Sequence, residues 1–461
     1  AQAILSPATL IKVWMLARCR AAMLLWDPIE RHRGGAHLAI AILCLALLVA
    51  LGSIEEGAIG EAQGSSSSIG DDDGACPAAA GSPDAGSTDG SSGGSSCGCG
   101  GLKRGDFGDV GGARERPDES RGARKVELQQ GLAGETPEEA SIVYLKGGEF
   151  TMGLVPDDEG DPTVFSHDGE GPRHKEMVKP FGIGAFEVSN RRFAEFVKRT
   201  GYITESEGFG WSFAVEAFIS PEVNATITQQ VDNAPWWLPV NGADWRHPNG
   251  PDTNIDALMD HPVSQVSMAD AEAFCRWSRP GGRLPSEVEW EFAARGGKEQ
   301  RRFPWGNNLL TGKKKSKHRM NIWQSEADQK LIKDGSVLNL YRFGEKSLVL
   351  VKEYYSARNL ALDGYESTAP VDSYGPQNAY GLYNIVGNVW EWTSSPWRVS
   401  GPDAAPVDVN TMVKKGGSFL CNPATCNRFR CSARMMFTAD SAASNVGFRC
   451  AYPVDEMAPQ L

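Results

Sequence analysis

Apolar residues recur with a helical period in only three stretches of the 461-residue chain. Residues 190–200 carry Phe193, Phe196 and Val197 on one stripe. Residues 267–279 place Ala271, Phe274 and Cys275 on one face, behind a Ser267 cap and with Asp270 and Glu272 in the first turns. Residues 286–294 open on Ser286 and Glu289, the spacing of a capping box, in which each side chain satisfies a backbone N–H that the helix leaves orphaned. Elsewhere the apolar pieces are short. Residues 141–145 predict a strand, and residues 336–343 and 347–355 predict a hairpin around Gly344-Glu345. Few helices, short strands and many Gly-Pro turns predict one compact, loop-rich α+β domain over residues 137–461, with 328–360 as an insertion.

One apolar run has no period at all. Residues 38–51 follow Arg31 and Arg33 and precede the small residues Gly52 and Ser53. A membrane-spanning helix needs about 20 apolar residues, so this shorter run predicts the core of a signal peptide, with a signal anchor as the alternative, over residues 1–53. Beyond it, Gly and Ser fill half of the positions from 61 to 100. Such a composition buries too little apolar surface to offset its ordering entropy, so residues 54–136 read as a disordered arm.

Net charge is −12, which argues against a nucleic-acid partner because no basic face would neutralise phosphates. Ten cysteines are present, and removing Cys19 and Cys44 with the signal leaves an even eight, which behind a secretory signal reads first as disulfides. Asn224-Ala225-Thr226 is a glycosylation sequon and fits a lumenal location. Cys97 and Cys99 sit on the Gly/Ser tether, where they could form mixed disulfides with a retention chaperone.

The densest chemistry lies in residues 416–431, where Cys421 and Cys426 flank a turn forced by Pro423. Spacing alone leaves three readings open: a structural disulfide, a soft-metal site for copper(I) or zinc, and a redox-active pair.

Further motifs run in order along the chain: Gly147-Gly148-Glu149-Phe150-Thr151-Met152-Gly153, Glu187-Val188-Ser189-Asn190, Gly282-Arg283-Leu284-Pro285-Ser286-Glu287, Phe303-Pro304-Trp305-Gly306-Asn307, Asn384-Ile385-Val386-Gly387-Asn388 and Asn445-Val446-Gly447-Phe448-Arg449-Cys450. Together they resemble the formylglycine-generating enzyme (sulfatase-modifying factor) family over residues 141–451. The resemblance implies that family's fold, a distant relative of the C-type lectin fold. It also implies an oxidoreductase that binds unfolded sulfatase polypeptides and turns the cysteine of a Cys-x-Pro-x-Arg segment into formylglycine, using molecular oxygen and a thiol reductant. Cys421 and Cys426 match the family's two active-site cysteines, which the non-catalytic, sulfatase-binding paralogue lacks, and would hold copper(I).

By the same resemblance Ser418 assists at the metal, and Trp390, Arg434 and Asn445 line the substrate pocket. One calcium site would take Asn321, the Ile322 carbonyl, Asp363 and the Tyr365 carbonyl. A second would take Asn384, Gly387, Val389 and Glu391. Cys275 would bridge to Cys450. Cys431 would stay a buried thiol, because Ala294 stands where family members carry its partner. Two departures fall beside the peptide groove: Trp211 replaces an acidic residue and Ala442 a serine. The implied location is the lumen of the endoplasmic reticulum, with part of the protein secreted, as a monomer or weak homodimer.

Overall fold

The computed structural model describes residues 103, 104, 107 and 141–454, except 160, 162–163, 165, 233, 313–316, 326–358, 399–407, 409 and 424–425. The apolar run at 38–51, Cys97 and Cys99, and the hairpin expected at 336–355 lie outside the described residues. No helix among those described is long and apolar enough to cross a membrane.

Among the described residues five α-helices occur in chain order: α1 (Asn190–Thr200), α2 (Glu205–Phe209), α3 (Pro221–Asn224), α4 (Met268–Ser278) and α5 (Glu287–Arg295). The three long ones stand where the periodicity puts them. Ser189 caps α1, and Ser267–Asp270 and Ser286–Glu289 close capping boxes on α4 and α5. The short α2 also has a capping box, from Thr204 and Glu207, but five residues are too few for a period to show.

Eleven strands among the described residues form four small sheets: β1 (Ile142–Leu145), β2 (Gly148–Met152), β3 (His174–Val178), β4 (Phe181–Gly184), β5 (Trp211–Val215), β6 (Trp237–Asn241), β7 (Trp390–Pro396), β8 (Thr411–Lys415), β9 (Arg434–Thr438), β10 (Val446–Gly447) and β11 (Ala451–Tyr452). β1 and β11 flank β4, so the two ends of the domain meet in one sheet. The largest sheet has the order β10-β7-β8-β9, with β10 parallel to β7 and the other pairs antiparallel. The remaining two are the antiparallel pairs β2-β3 and β5-β6.

The core is aromatic. Phe193 and Phe196 of α1 meet Phe274 of α4, and Phe274 packs edge-on to Phe448 just before β11. Burying each such ring contributes about 1.5–3 kcal/mol. The expected bridge forms between Cys275 on α4 and Cys450, locking this helix to the C-terminal strand. Charged groups enter the interior in pairs: Arg449 grips Glu391 with two hydrogen bonds, and Lys415 and Arg295 share Glu291.

One expectation needs correction. Residues 104 and 107 fall in the stretch read as disordered, yet Arg104 and Phe107 are buried. Phe107 packs edge-on against Trp211 and Phe213. An average over Gly and Ser hides a single aromatic residue that has a place to bind.

Candidate active site

The two candidate thiols hang from the connection between β8 and β9. It starts on Gly416 and Gly417, at φ 95° and 73°. A Cβ on Gly417 would lie 2.9 Å from the Phe429 Cα, so only glycine lets the two arms of this loop close on each other. Inside it, the Cys421 N–H donates to the Ser418 carbonyl at 2.9 Å and the Cys426 N–H to the Asn422 carbonyl at 3.2 Å. These turns bring Cys421 Sγ to 2.7 Å from Cys426 Sγ, and both residues are buried. Cys426 is itself disulfide-bonded, and neither Cys275, Cys450, Cys421 nor Cys431 is its partner.

Neighbouring groups hold this loop from three sides. Asn445 donates its side-chain amide to Ser418 Oγ at 2.8 Å, and the Trp390 N–H donates to the Asn445 carbonyl. The Trp323 N–H donates to the Cys421 carbonyl at 2.9 Å. Arg428, fully buried, binds Asp168 through two nitrogens. Burial works against the Arg428 charge, but Asp168 outweighs it and Cys421 adds to the same effect, so the guanidinium stays charged beside the thiols. Cys431 differs. It is buried outside any disulfide, and desolvation pushes its thiol up to about 12, so it behaves as a small apolar side chain.

Two oxygen-rich loops abut the thiols. In the first, the Ile322 N–H donates to Asp363 at 2.9 Å and the Tyr365 N–H donates to the other Asp363 oxygen at 3.2 Å, which holds Ile322, Asp363 and Tyr365 together. Asn321 Oδ1 is buried with no hydrogen-bond partner, and burial raises the Asp363 carboxyl. The Gln324 amide donates to both the Ile322 carbonyl and Asp363, so its oxygen would have to turn inward to face a cation. The ends of the insertion are stitched beneath this loop: Gln324 N–H to Asn359 and Leu360 N–H to the Gln324 carbonyl.

In the second loop, Asn384 Oδ1 is buried without a partner, as is Glu187 Oε1. Burial, with Glu391 nearby, pushes the Glu187 carboxyl well up, the mark of a site short of positive charge. Glu391 itself is taken up by Arg449 and the Trp290 indole. The carboxylate with an open oxygen beside Asn384 is therefore Glu187, which the resemblance did not single out. Its motif was legible, but nothing in the sequence distinguished it from an exposed acid. Among the described residues no three His, Cys, Asp or Glu side chains gather at one point, so amide and carbonyl oxygens would have to complete either shell.

Trp390 is fully buried at the start of β7. Arg434 binds Glu287 through two nitrogens and lies over the Trp397 ring. It lines a cavity of about 250 Å³ with Glu170, Glu287, Glu291 and Ser432, to which neither Cys421 nor Cys426 contributes. Its bidentate partner was invisible in the sequence because Glu287 is more than a hundred residues away. The sequon residue Asn224 ends α3, half-buried.

Residues 129–454 match the family described as the sulfatase-modifying factor enzyme 1-like domain. The chain belongs to this family. Among curated sulfatase-modifying factor relatives, the formylglycine-generating enzyme of Bos taurus is 42% identical over 363 residues, covering 77% of this chain and 85% of its own. That of Mus musculus is 45% identical over 316 residues, covering 67% and 74%. The inactive Cα-formylglycine-generating enzyme 2 of Bos taurus is 39% identical over 313 residues, covering 68% and 87%. Active and inactive members are thus similarly close, and the site has to separate them.

Proposed function

We propose that the chain converts the cysteine of a Cys-x-Pro-x-Arg segment in unfolded sulfatases to formylglycine, as a copper(I)-dependent oxidase using molecular oxygen and a thiol reductant. The observation that carries this reading is the contact of Cys421 and Cys426 sulfurs inside a buried loop. Two thiolates are the donor set that soft copper(I) prefers. With the sulfurs in contact and Cys426 oxidised, metal uptake would follow reduction, which gives the thiol reductant its first role. Copper(I), once bound, supplies oxygen chemistry that no side chain here provides.

The protein's own groups prepare the place. Arg428 sets a fixed positive charge beside the thiol loop, Asn445 fixes Ser418 beneath it, and the loop is buried. Calcium fits the two oxygen-rich loops, since it accepts carbonyl, amide and carboxylate oxygens together. Asn321, Ile322, Asp363 and Tyr365 would hold one ion. Asn384, Gly387, Val389 and Glu187 would hold the other, with Glu391 set aside for Arg449. The first loop reaches the thiols directly through the Trp323–Cys421 hydrogen bond. The setting we infer is the lumen of the endoplasmic reticulum, with a glycan on Asn224 and Cys97 and Cys99 available to a thiol-linked chaperone.

Copper(I) titration of the reduced protein against a chromophoric chelator tests the metal assignment. Cys421→Ser and Cys426→Ser should each lose copper binding and turnover together. Substantial turnover by either variant at equal copper occupancy would overturn the paired-thiolate site. A copper-loaded protein that binds the peptide and leaves it unchanged would favour the non-catalytic, sulfatase-binding reading.

A further inference from the structure

Arg104 is seated as a ligand would be. Its backbone N–H donates to Ser441 Oγ at 3.2 Å, its Nε to the Asp440 carbonyl at 3.3 Å, and its Nη1 to the Trp211 carbonyl at 2.8 Å. The guanidinium lies 4.2 Å from the centre of the Phe209 ring and 4.5 Å from that of Trp211, and the residue is 5% exposed. Asp440, Glu205 and Asp270 all attract it. Three residues on, Phe107 fills the gap between Trp211 and Phe213. An aromatic sandwich with carbonyl acceptors and surrounding acids is a recognition site for an arginine side chain.

The same place is joined to the thiol loop through residues 440–445. Ser212 on β5 donates to the Ala442 carbonyl, the Ser444 N–H donates to the Phe213 carbonyl, and Asn445 then holds Ser418 under the thiols. Arg104 thus binds at one end of residues 440–445 and the thiol loop at the other. The substrate segment carries its arginine four residues after its cysteine, a reach of at most about 14 Å for an extended chain. In sequence, Arg104 itself follows Cys99 by five residues, close to the substrate's own spacing.

We propose that Arg104 and Phe107 occupy the substrate groove as a built-in competitor, with Arg104 in the subsite for the substrate's arginine, so that a sulfatase segment binds only by displacing them. The inference rests on the proposed substrate class.

Fluorescence anisotropy of a labelled Ser-x-Pro-x-Arg peptide, which cannot react, tests this on the full chain. If the arm fills the groove nine-tenths of the time, Arg104→Ala should bind the peptide about tenfold more tightly than the parent. Phe107→Ala should shift affinity the same way. A free peptide of residues 102–110 should displace the label from Arg104→Ala, and a scrambled version should not. Equal or weaker affinity in Arg104→Ala, with its melting curve unchanged, would overturn the inference alone. Failure of the parent and the variant to bind the label at all would sink the proposed substrate, and the inference with it.

Discussion

Asn388 is the residue on which the thiol loop and both oxygen-rich loops converge, so Asn388→Ala should unfold or disable the site. Its side-chain oxygen accepts from Asn321 at 3.1 Å and from the Ala369 N–H at 2.8 Å. Its amide donates to Glu187 at 3.0 Å and to the Ala369 carbonyl at 3.1 Å. Asn321 and Glu187 each keep one other partner, Ser367 and Asn384, whereas both Ala369 groups lean on Asn388. Two buried orphans cost about 1–3 kcal/mol each. Asn388 also sits at φ 61°, where alanine is worse than asparagine by about 1 kcal/mol. The expected loss is about 3–7 kcal/mol, a large share of the 5–15 kcal/mol that holds typical domains. Urea unfolding in the presence of a calcium chelator measures it. Asn388→Gly should recover about 1 kcal/mol of that loss, because it removes the backbone strain without restoring any hydrogen bond. Since the Phe419 N–H binds the Asn388 carbonyl, turnover should fall as well. Asn388→Ala within about 1 kcal/mol of the parent would refute the reasoning.

Calcium at one hundred times the dissociation constant of each site should stabilise the parent by about 2.7 kcal/mol per ion, and Glu187→Gln should lose most of the share due to the second loop; an undiminished melting shift in Glu187→Gln would place the ion elsewhere. Cys431 should be alkylated only after denaturation, and modification in the folded protein at neutral pH would contradict its burial and raised pKa. Burial alone would raise the Glu291 carboxyl, but Lys415 and Arg295 outweigh it and hold it down at about 2. Its folded value lies below its unfolded one, so its stabilising share is complete above about pH 4.5 and is lost as pH falls toward 2. Lys415→Met should therefore move acid unfolding to higher pH, and an unchanged midpoint would contradict the coupling.

Much of the frame was legible because it is written locally. Ser267 and Asp270, or Ser286 and Glu289, announce a helix start within four residues, and the Phe193 stripe marks its buried face. The thiol pair was legible as a pair, and the family motifs ordered the rest. What stayed hidden depends on distant partners. Nothing local marks Arg428 and Arg430 as interior charges; Asp168 and Glu170, 260 residues away, pair with them there. Arg434 reads as a pocket residue, and only the fold reveals Glu287 as its bidentate partner. The resemblance names Glu391 and passes over Glu187, and only the arrangement of Arg449 and Asn384 separates the committed carboxylate from the open one. Arg104 escaped because composition averages over a window and binding does not.

The most direct test of the account is mass spectrometry of a Cys-x-Pro-x-Arg peptide incubated with the reduced full chain, copper(I), oxygen and a thiol. The account predicts loss of the peptide's sulfur and appearance of an aldehyde that a hydrazide traps, in the parent protein and in neither Cys421→Ser nor Cys426→Ser. A peptide that remains an unmodified cysteine with the copper-loaded parent, while still binding to it, would contradict the central claim.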